Sequence, residues 1–139
     1  MEPDRTPQLT FRIIPKPIIL GKCQPPTLIN LKGQKNILGP ELEKGPSNLI
    51  YIGRQMYMGG WKLPKSKWYN PYSVKKYGLA SAISCYRLHI TNNTNLLDSL
   101  SELNGKILAC WCHPKLCHGD ILIELFNLYV VQYLDDTDQ

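Results

Sequence analysis

The residues best equipped for chemistry lie in one stretch, Cys110-Trp-Cys-His-Pro-Lys-Leu-Cys-His-Gly-Asp120, which opens with three of the five cysteines and two of the three histidines. Cys110 and Cys112 are two apart at the end of an apolar run, so on a strand they share one face, with Trp111 on the other. Pro114 forces the chain out of regular pairing, and Gly119 permits a tight approach before a helix expected to start at Asp120. Main-chain N–H groups in a first helical turn are unpaired and carry the positive end of the helix dipole. They favour bound anions and stabilise thiolates, which makes Cys117 the candidate low-pKa thiol. His118 can act as base, acid or phosphate donor, because imidazole titrates near neutrality.

Three chemistries fit these residues. One is a ligand-binding or catalytic turn with Cys117 or Cys112 reactive and His118 assisting. Another is a metal site built from Cys110, Cys112, Cys117 and His118, with zinc the natural ion for thiolate and imidazole ligands. Its C-x-C and adjacent Cys-His spacing, however, differs from the usual paired C-x-x-C. The last is packing, with small cysteines filling a crowded strand end.

The flanking elements must place this turn. Thr27–Leu31, Leu49–Ile52 and Ile107–Cys112 read as strands, the last apolar on both faces as expected between helices. Leu79, Ile83, Tyr86 and Ile90 recur at helical spacing and predict a helix over 79–91. Asn92-Asn93-Thr94-Asn95 then supplies caps for a short helix over 96–103, stopped by Asn104-Gly105. A final, largely apolar helix is expected from 120 to 134. The segment between the first two strands, with Gly39-Pro40 and Gly45-Pro46, reads as turn-rich, and 54–78 as a long irregular loop. Strands joined through helices predict an α/β domain with a mostly parallel sheet, whose ligands bind beyond the carboxyl ends of the strands. That edge would gather Gly53-Arg54, the turn from Cys112 to Asp120 and the loop 54–78.

The remaining chain sets limits. With 139 residues, 43% hydrophobic and 19% charged, it has the size and composition of one globular domain. Residues 1–26 hold six of eleven prolines beside Phe11, Ile13, Ile14, Ile18, Ile19 and Leu20. This predicts an extended arm strapped along the domain or along a neighbouring subunit, followed by one domain over 27–134 and an acidic tail over 135–139. No apolar run approaches the ~20 residues of a membrane span, and the N-terminus lacks the features of a secretory signal. An odd, crowded set of five cysteines points to a reducing intracellular compartment rather than a disulfide framework.

The net charge of +5 is unevenly placed. Arg54 to Lys76 holds six cations and no acid, which points to anionic partners or to a merely solvated basic loop. Trp61-Lys-Leu-Pro-Lys-Ser-Lys-Trp68-Tyr69 interleaves cations with aromatics. It reads either as a weak nucleic-acid platform or as a loop pinned to the body by its rings. His89 at a helix end, Cys85 within a helix and Cys23 in the arm carry no comparable signal.

Asn48-Leu-Ile-Tyr-Ile-Gly-Arg54, Trp68-Tyr-Asn-Pro71, Cys85-Tyr-Arg87, Gly105-Lys-Ile-Leu-Ala-Cys-Trp-Cys112 and Pro114-x-x-Cys-His-Gly-Asp120 occur in the order seen in the domain of unknown function 4326 family of bacteria, phages and large DNA viruses. The resemblance covers roughly residues 27–130. It implies a small Rossmann-like domain of uncharacterised activity. The motif positions it carries over are Arg54, Asn70, Pro71, Tyr86, Arg87, Cys110, Cys112, Cys117, His118, Gly119 and Asp120. Tyr69 stands where the family often has glycine, and the proline-rich arm is an addition.

Together these readings predict an anionic, nucleotide-like or phosphorylated small molecule as ligand. Arg54 and Arg87 would clamp it, Asn70 would orient it, and Gly119 and Asp120 would shape the site. Cys117, His118 and Cys112 would do any chemistry. The alternative from another class is an assembly protein, such as a virion component, in which the arm and the basic loop bind other subunits in an infected cell or particle.

Overall fold

The computed structural model describes residues 18–44 and 47–132, with side chains from 21 to 130 of that range. Residues 1–17 of the arm expected over 1–26, and the acidic tail over 135–139, lie outside the described residues. Strands β1 (Ile18–Leu20), β2 (Thr27–Asn30), β3 (Leu49–Tyr51), β4 (Ile107–Cys110) and β5 (Val130–Gln132) alternate with helices α1 (Lys35–Lys44), α2 (Val74–Tyr77), α3 (Leu79–Thr91), α4 (Thr94–Asp98) and α5 (His118–Tyr129). A 3₁₀ turn, Leu100–Leu103, follows α4.

The central sheet is parallel, in the order β2-β4-β3, with Leu28 and Ile50 both in register with Leu108. Alternation along each strand divides the apolar residues between two faces. Leu28, Ile50, Ile52, Leu108 and Cys110 meet α3, α4 and α5 through Ile83, Tyr86, Leu97, Leu122 and Phe126. Ile29, Leu49, Tyr51 and Ala109 face Leu38 and Leu42 of α1 with Trp61 and Leu63 of the long loop. Each fully buried leucine or phenylalanine side chain contributes roughly 1.5–3 kcal/mol of transfer free energy. The two apolar layers are therefore what holds the sheet between the helices. This is a small α/β domain, as the strand and helix pattern predicts.

Several boundaries differ from the sequence reading. The segment with Gly39-Pro40 forms α1, with Pro40 inside it. The carbonyl that Pro40 leaves without a helical partner belongs to exposed Asn36, where water can serve it. The apolar side of α1 is anchored by Leu38 and Leu42. Residues 74–77 of the long loop form α2, capped by the Ser73 hydroxyl. The expected helix over 96–103 is split into α4, capped by the Asn93 side chain, and the 3₁₀ turn. In α3 the buried stripe is Ile83, Tyr86 and Ile90, whereas Leu79 is exposed.

The last helix begins two residues early, at His118, and stops at Tyr129 instead of 134. Val130–Gln132 then pair in parallel with Ile18–Leu20, in a sheet separate from the central one. That ladder draws the β-branched valines out of the helix. The chain after β1 is fastened by Asn104, whose side chain accepts from the Gln24 N–H at 2.6 Å and donates to the Lys22 carbonyl at 3.0 Å. No helix among the described residues is long and apolar enough to cross a membrane.

Candidate functional site: the cysteine-histidine turn

β4 ends at Cys110, two residues sooner than its apolar run suggests. The reason is Asn30 at the end of β2. Its amide donates to the carbonyl of His113 at 2.7 Å and, more weakly, to that of Trp111 at 3.4 Å, so the chain bends out of the ladder. The same side chain accepts from the Lys32 N–H at 2.8 Å. The His113–Pro114 peptide is cis, and the Lys115 N–H closes the turn on the Cys112 carbonyl at 2.8 Å. Because the strand has ended, Cys110 and Cys112 do not share an environment: Cys110 is 1% exposed, whereas Cys112 is exposed. Trp111 lies on the opposite face, edge-on to Trp61, with its indole N–H donating to the Tyr51 hydroxyl at 2.9 Å. That hydroxyl donates in turn to the Arg54 carbonyl at 2.5 Å, and burial pushes the Tyr51 phenol up.

Cys117 is the N-cap of α5, and its N–H is accepted by the Asp120 carboxylate at 2.9 Å. The N–H groups of Gly119 and Asp120 act on the Cys117 sulfur. The positive end of α5 is therefore directed inward, onto a thiol. The Cys117 sulfur lies 3.9 Å from that of Cys110, which also reaches the Ile29 carbonyl at 3.6 Å. The Cys117 S–H donates to Cys110 and holds the Cys110 thiol down at about 6 against the upward push of burial. Cys117 itself is raised, first by that shared hydrogen bond and then by burial. The two thiols are joined through that hydrogen bond, which favours the thiolate at Cys110 and opposes it at Cys117. Exposed Cys112 is raised by partial desolvation and by the nearby Cys110 and Asp120 charges, against Lys115.

His118 points under the sheet edge. Its Nε2 lies 2.6 Å from the Ile52 carbonyl, and its ring stands edge-on to buried Tyr86 at 5.0 Å. Burial lowers its pKa, opposed by the Ile52 hydrogen bond and the Asp120 charge. The Tyr86 hydroxyl donates to the Trp68 carbonyl at 2.7 Å, and burial raises it well above the ordinary phenol range. Gly119 sits where a Cβ would come within 2.4 Å of Leu28 Cδ2, so its role is close packing of α5 on β2.

Of the proposed ligand clamps, Arg54 is exposed at the end of β3, beside the turn. Arg87 is elsewhere: its guanidinium makes an ion pair with Glu124 across α3 and α5. Asn70 is occupied in the loop, donating to the Ala82 carbonyl at 3.2 Å and accepting from the Tyr72 N–H at 2.9 Å. Trp61 and Trp68 are 8% and 2% exposed. Those rings pin the basic loop to the body and are not open for base stacking.

The four candidate metal ligands do not converge, since Cys112 is turned out and His118 Nε2 is on a carbonyl. Among the described residues no group of three or more His, Cys, Asp or Glu side chains is arranged to hold a metal ion. A shallow depression of about 260 Å³ lies away from the turn, on α3, lined by Ala80, Ser81, Ser84, Cys85 and Leu88. The residue that sequence reasoning undervalued is Asn30, whose signal was a polar side chain closing an otherwise apolar strand.

Comparison with known proteins finds a viral relative and a matching family model. The chain is 35% identical over 120 residues to an uncharacterised protein of Acanthamoeba polyphaga mimivirus, covering 81% of this chain and 87% of that protein. No solved structure matches. The model of the family described as Domain of unknown function (DUF4326) matches residues 38–128, which include Arg54, the basic loop, the turn and most of α5. On that match, over more than half of its length, the chain belongs to the domain of unknown function 4326 family.

Proposed function

We propose that the domain binds an anionic small molecule, nucleotide-like or phosphorylated, at the carboxyl edge of β3 and β4. The observation that carries this reading is the adjacency of two chain exits. Arg54 leaves β3 beside the turn that leaves β4, and the Ser66 N–H bonds the Gly53 carbonyl at 3.0 Å, returning the basic loop to the same edge. Arg54, Lys65 and Lys115 are exposed cations on these three segments. Lys67 is engaged by Glu102 at 2.7 Å and contributes less. Guanidinium and ammonium groups on neighbouring segments suit phosphate oxygens.

The helix start serves this site as a frame and not as a phosphate cradle, because its N–H groups are directed at Cys117 and the Asp120 carboxylate covers the cap. Cys112, exposed at the rim, is the thiol that a ligand on this surface would meet.

Calorimetric titration with inorganic phosphate, pyrophosphate and ADP at low salt tests the reading. Saturable binding is expected for at least one of these probes. It should be weakened about tenfold or more, ~1.4 kcal/mol, by Arg54→Ala or Lys115→Ala and left unchanged by Arg87→Ala. Equal affinity in Arg54→Ala and the unaltered protein, or no binding of any probe, overturns it.

A further inference from the structure

Two buried thiols in contact are more than the packing of α5 on β4 requires, and the surrounding groups favour chemistry between them. Cys110 and Cys117 are 1% and 3% exposed, yet the turn joining them carries exposed Cys112, Pro114, Lys115 and Leu116. Because both sulfurs are buried, a small oxidant reaches them only when the surrounding chain is displaced. The S–H of Cys117 is directed at the Cys110 sulfur across 3.9 Å. A disulfide needs the two sulfurs at about 2.05 Å, so closure requires a shift of about 1.9 Å.

We propose that Cys110 and Cys117 form a two-thiol oxidation site that reacts with hydrogen peroxide and closes to a disulfide joining the end of β4 to the start of α5. This is independent of the anion-binding reading, since neither thiol is assigned to the ligand. The Cys110 thiolate attacks one peroxide oxygen. The O–O bond breaks, the sulfur becomes a sulfenic acid, and hydroxide leaves to become water with the proton that Cys110 released. The Cys117 sulfur then attacks the oxidised sulfur of Cys110. The S–S bond forms as the S–O bond breaks, and the departing hydroxide takes the Cys117 proton as a second water. Two thiols are oxidised and one peroxide is reduced to two waters. Cys110, whose sulfur accepts the Cys117 S–H across 3.9 Å, is the attacking sulfur, and that hydrogen bond favours its thiolate. Cys117, the donor of that hydrogen bond, is the resolving one.

The test uses the full chain, reduced, freed of reductant and treated with hydrogen peroxide, then alkylated under denaturing conditions and digested with trypsin. Lys115 lies between the two cysteines, so cleavage separates peptide 107–115 from peptide 116–139 unless a disulfide joins them. The expected result is an intact mass lower by two hydrogens, with these peptides linked in the unaltered protein and still linked in Cys112→Ser. Cys117→Ser should lose the link. If that variant fails to fold, the mapping of the other two proteins decides alone. Unlinked peptides after peroxide, or a link lost in Cys112→Ser, overturns the proposal.

Discussion

His118 Nε2 lies 2.6 Å from the main-chain oxygen of Ile52, and this contact fastens the first residue of α5 to the end of β3. A carbonyl can only accept, so Nε2 carries a proton and the ring bridges the two elements.

A pH dependence follows from that geometry. Burial lowers the His118 pKa below its ordinary value of 6.5, and burial acts in the same direction on His89. Above the unfolded pKa both folded and unfolded rings are neutral, and the contribution to stability is fully present. As pH falls below it, the unfolded ring takes up a proton that the folded ring refuses, so stability is lost as pH falls through the folded pKa. Urea unfolding between pH 7 and pH 5 should show declining stability, with a shallower decline in His118→Gln. An identical slope in both proteins would show that His118 does not titrate between the states.

Gly119→Ala should destabilise the domain by about 1–3 kcal/mol, the usual cost of overpacking. The new Cβ would stand 2.4 Å from Leu28 Cδ2 and 2.9 Å from Ile52 Cδ1. Chemical denaturation measures the loss. A double variant that also shortens Leu28 to alanine should cost less than the sum of the two single changes. Unchanged stability in Gly119→Ala would mean that α5 can lift off the sheet without penalty.

Two neighbours in sequence should differ in how much their removal costs. Arg87→Ala removes an ion pair whose side chains are 39% and 45% exposed, so a change of about 0–1 kcal/mol is expected. Tyr86→Phe removes the buried hydroxyl that satisfies the Trp68 carbonyl and should cost about 1–3 kcal/mol. Thermal melts of both variants check the order, and a larger loss for Arg87→Ala would contradict it.

The central strands were legible as short, continuous apolar runs, and α3 because Ile83, Tyr86 and Ile90 recur at helical spacing. Helix α1 was not. Gly39-Pro40 is a local breaker signal, and what overrides it is tertiary: Gly39 lies close against Trp61, and half-buried Leu38 and Leu42 pack against the same cluster. The end of α5 was missed for a related reason, since Val130–Gln132 pair with a segment more than a hundred residues earlier. Within the turn, composition marked the cysteines and His118 as a group. It gave no access to side-chain direction, which sends Arg87 to Glu124, turns Cys112 outward and sets Cys110 against Cys117. The chain bends at Asn30 and Pro114, and past such bends strand alternation no longer says which residues face each other.

The long loop between β3 and α3 is tied down along its length. Met56 and Leu63 bridge each other, Ser66 is bonded to Gly53, Trp68 to Tyr86, and Asn70 to Ala82. The conformational entropy of these residues is therefore surrendered when the domain folds and not when something docks beside them. A molecule arriving at that surface meets lysines whose backbone is already fixed, and little of its binding free energy is consumed in ordering the protein.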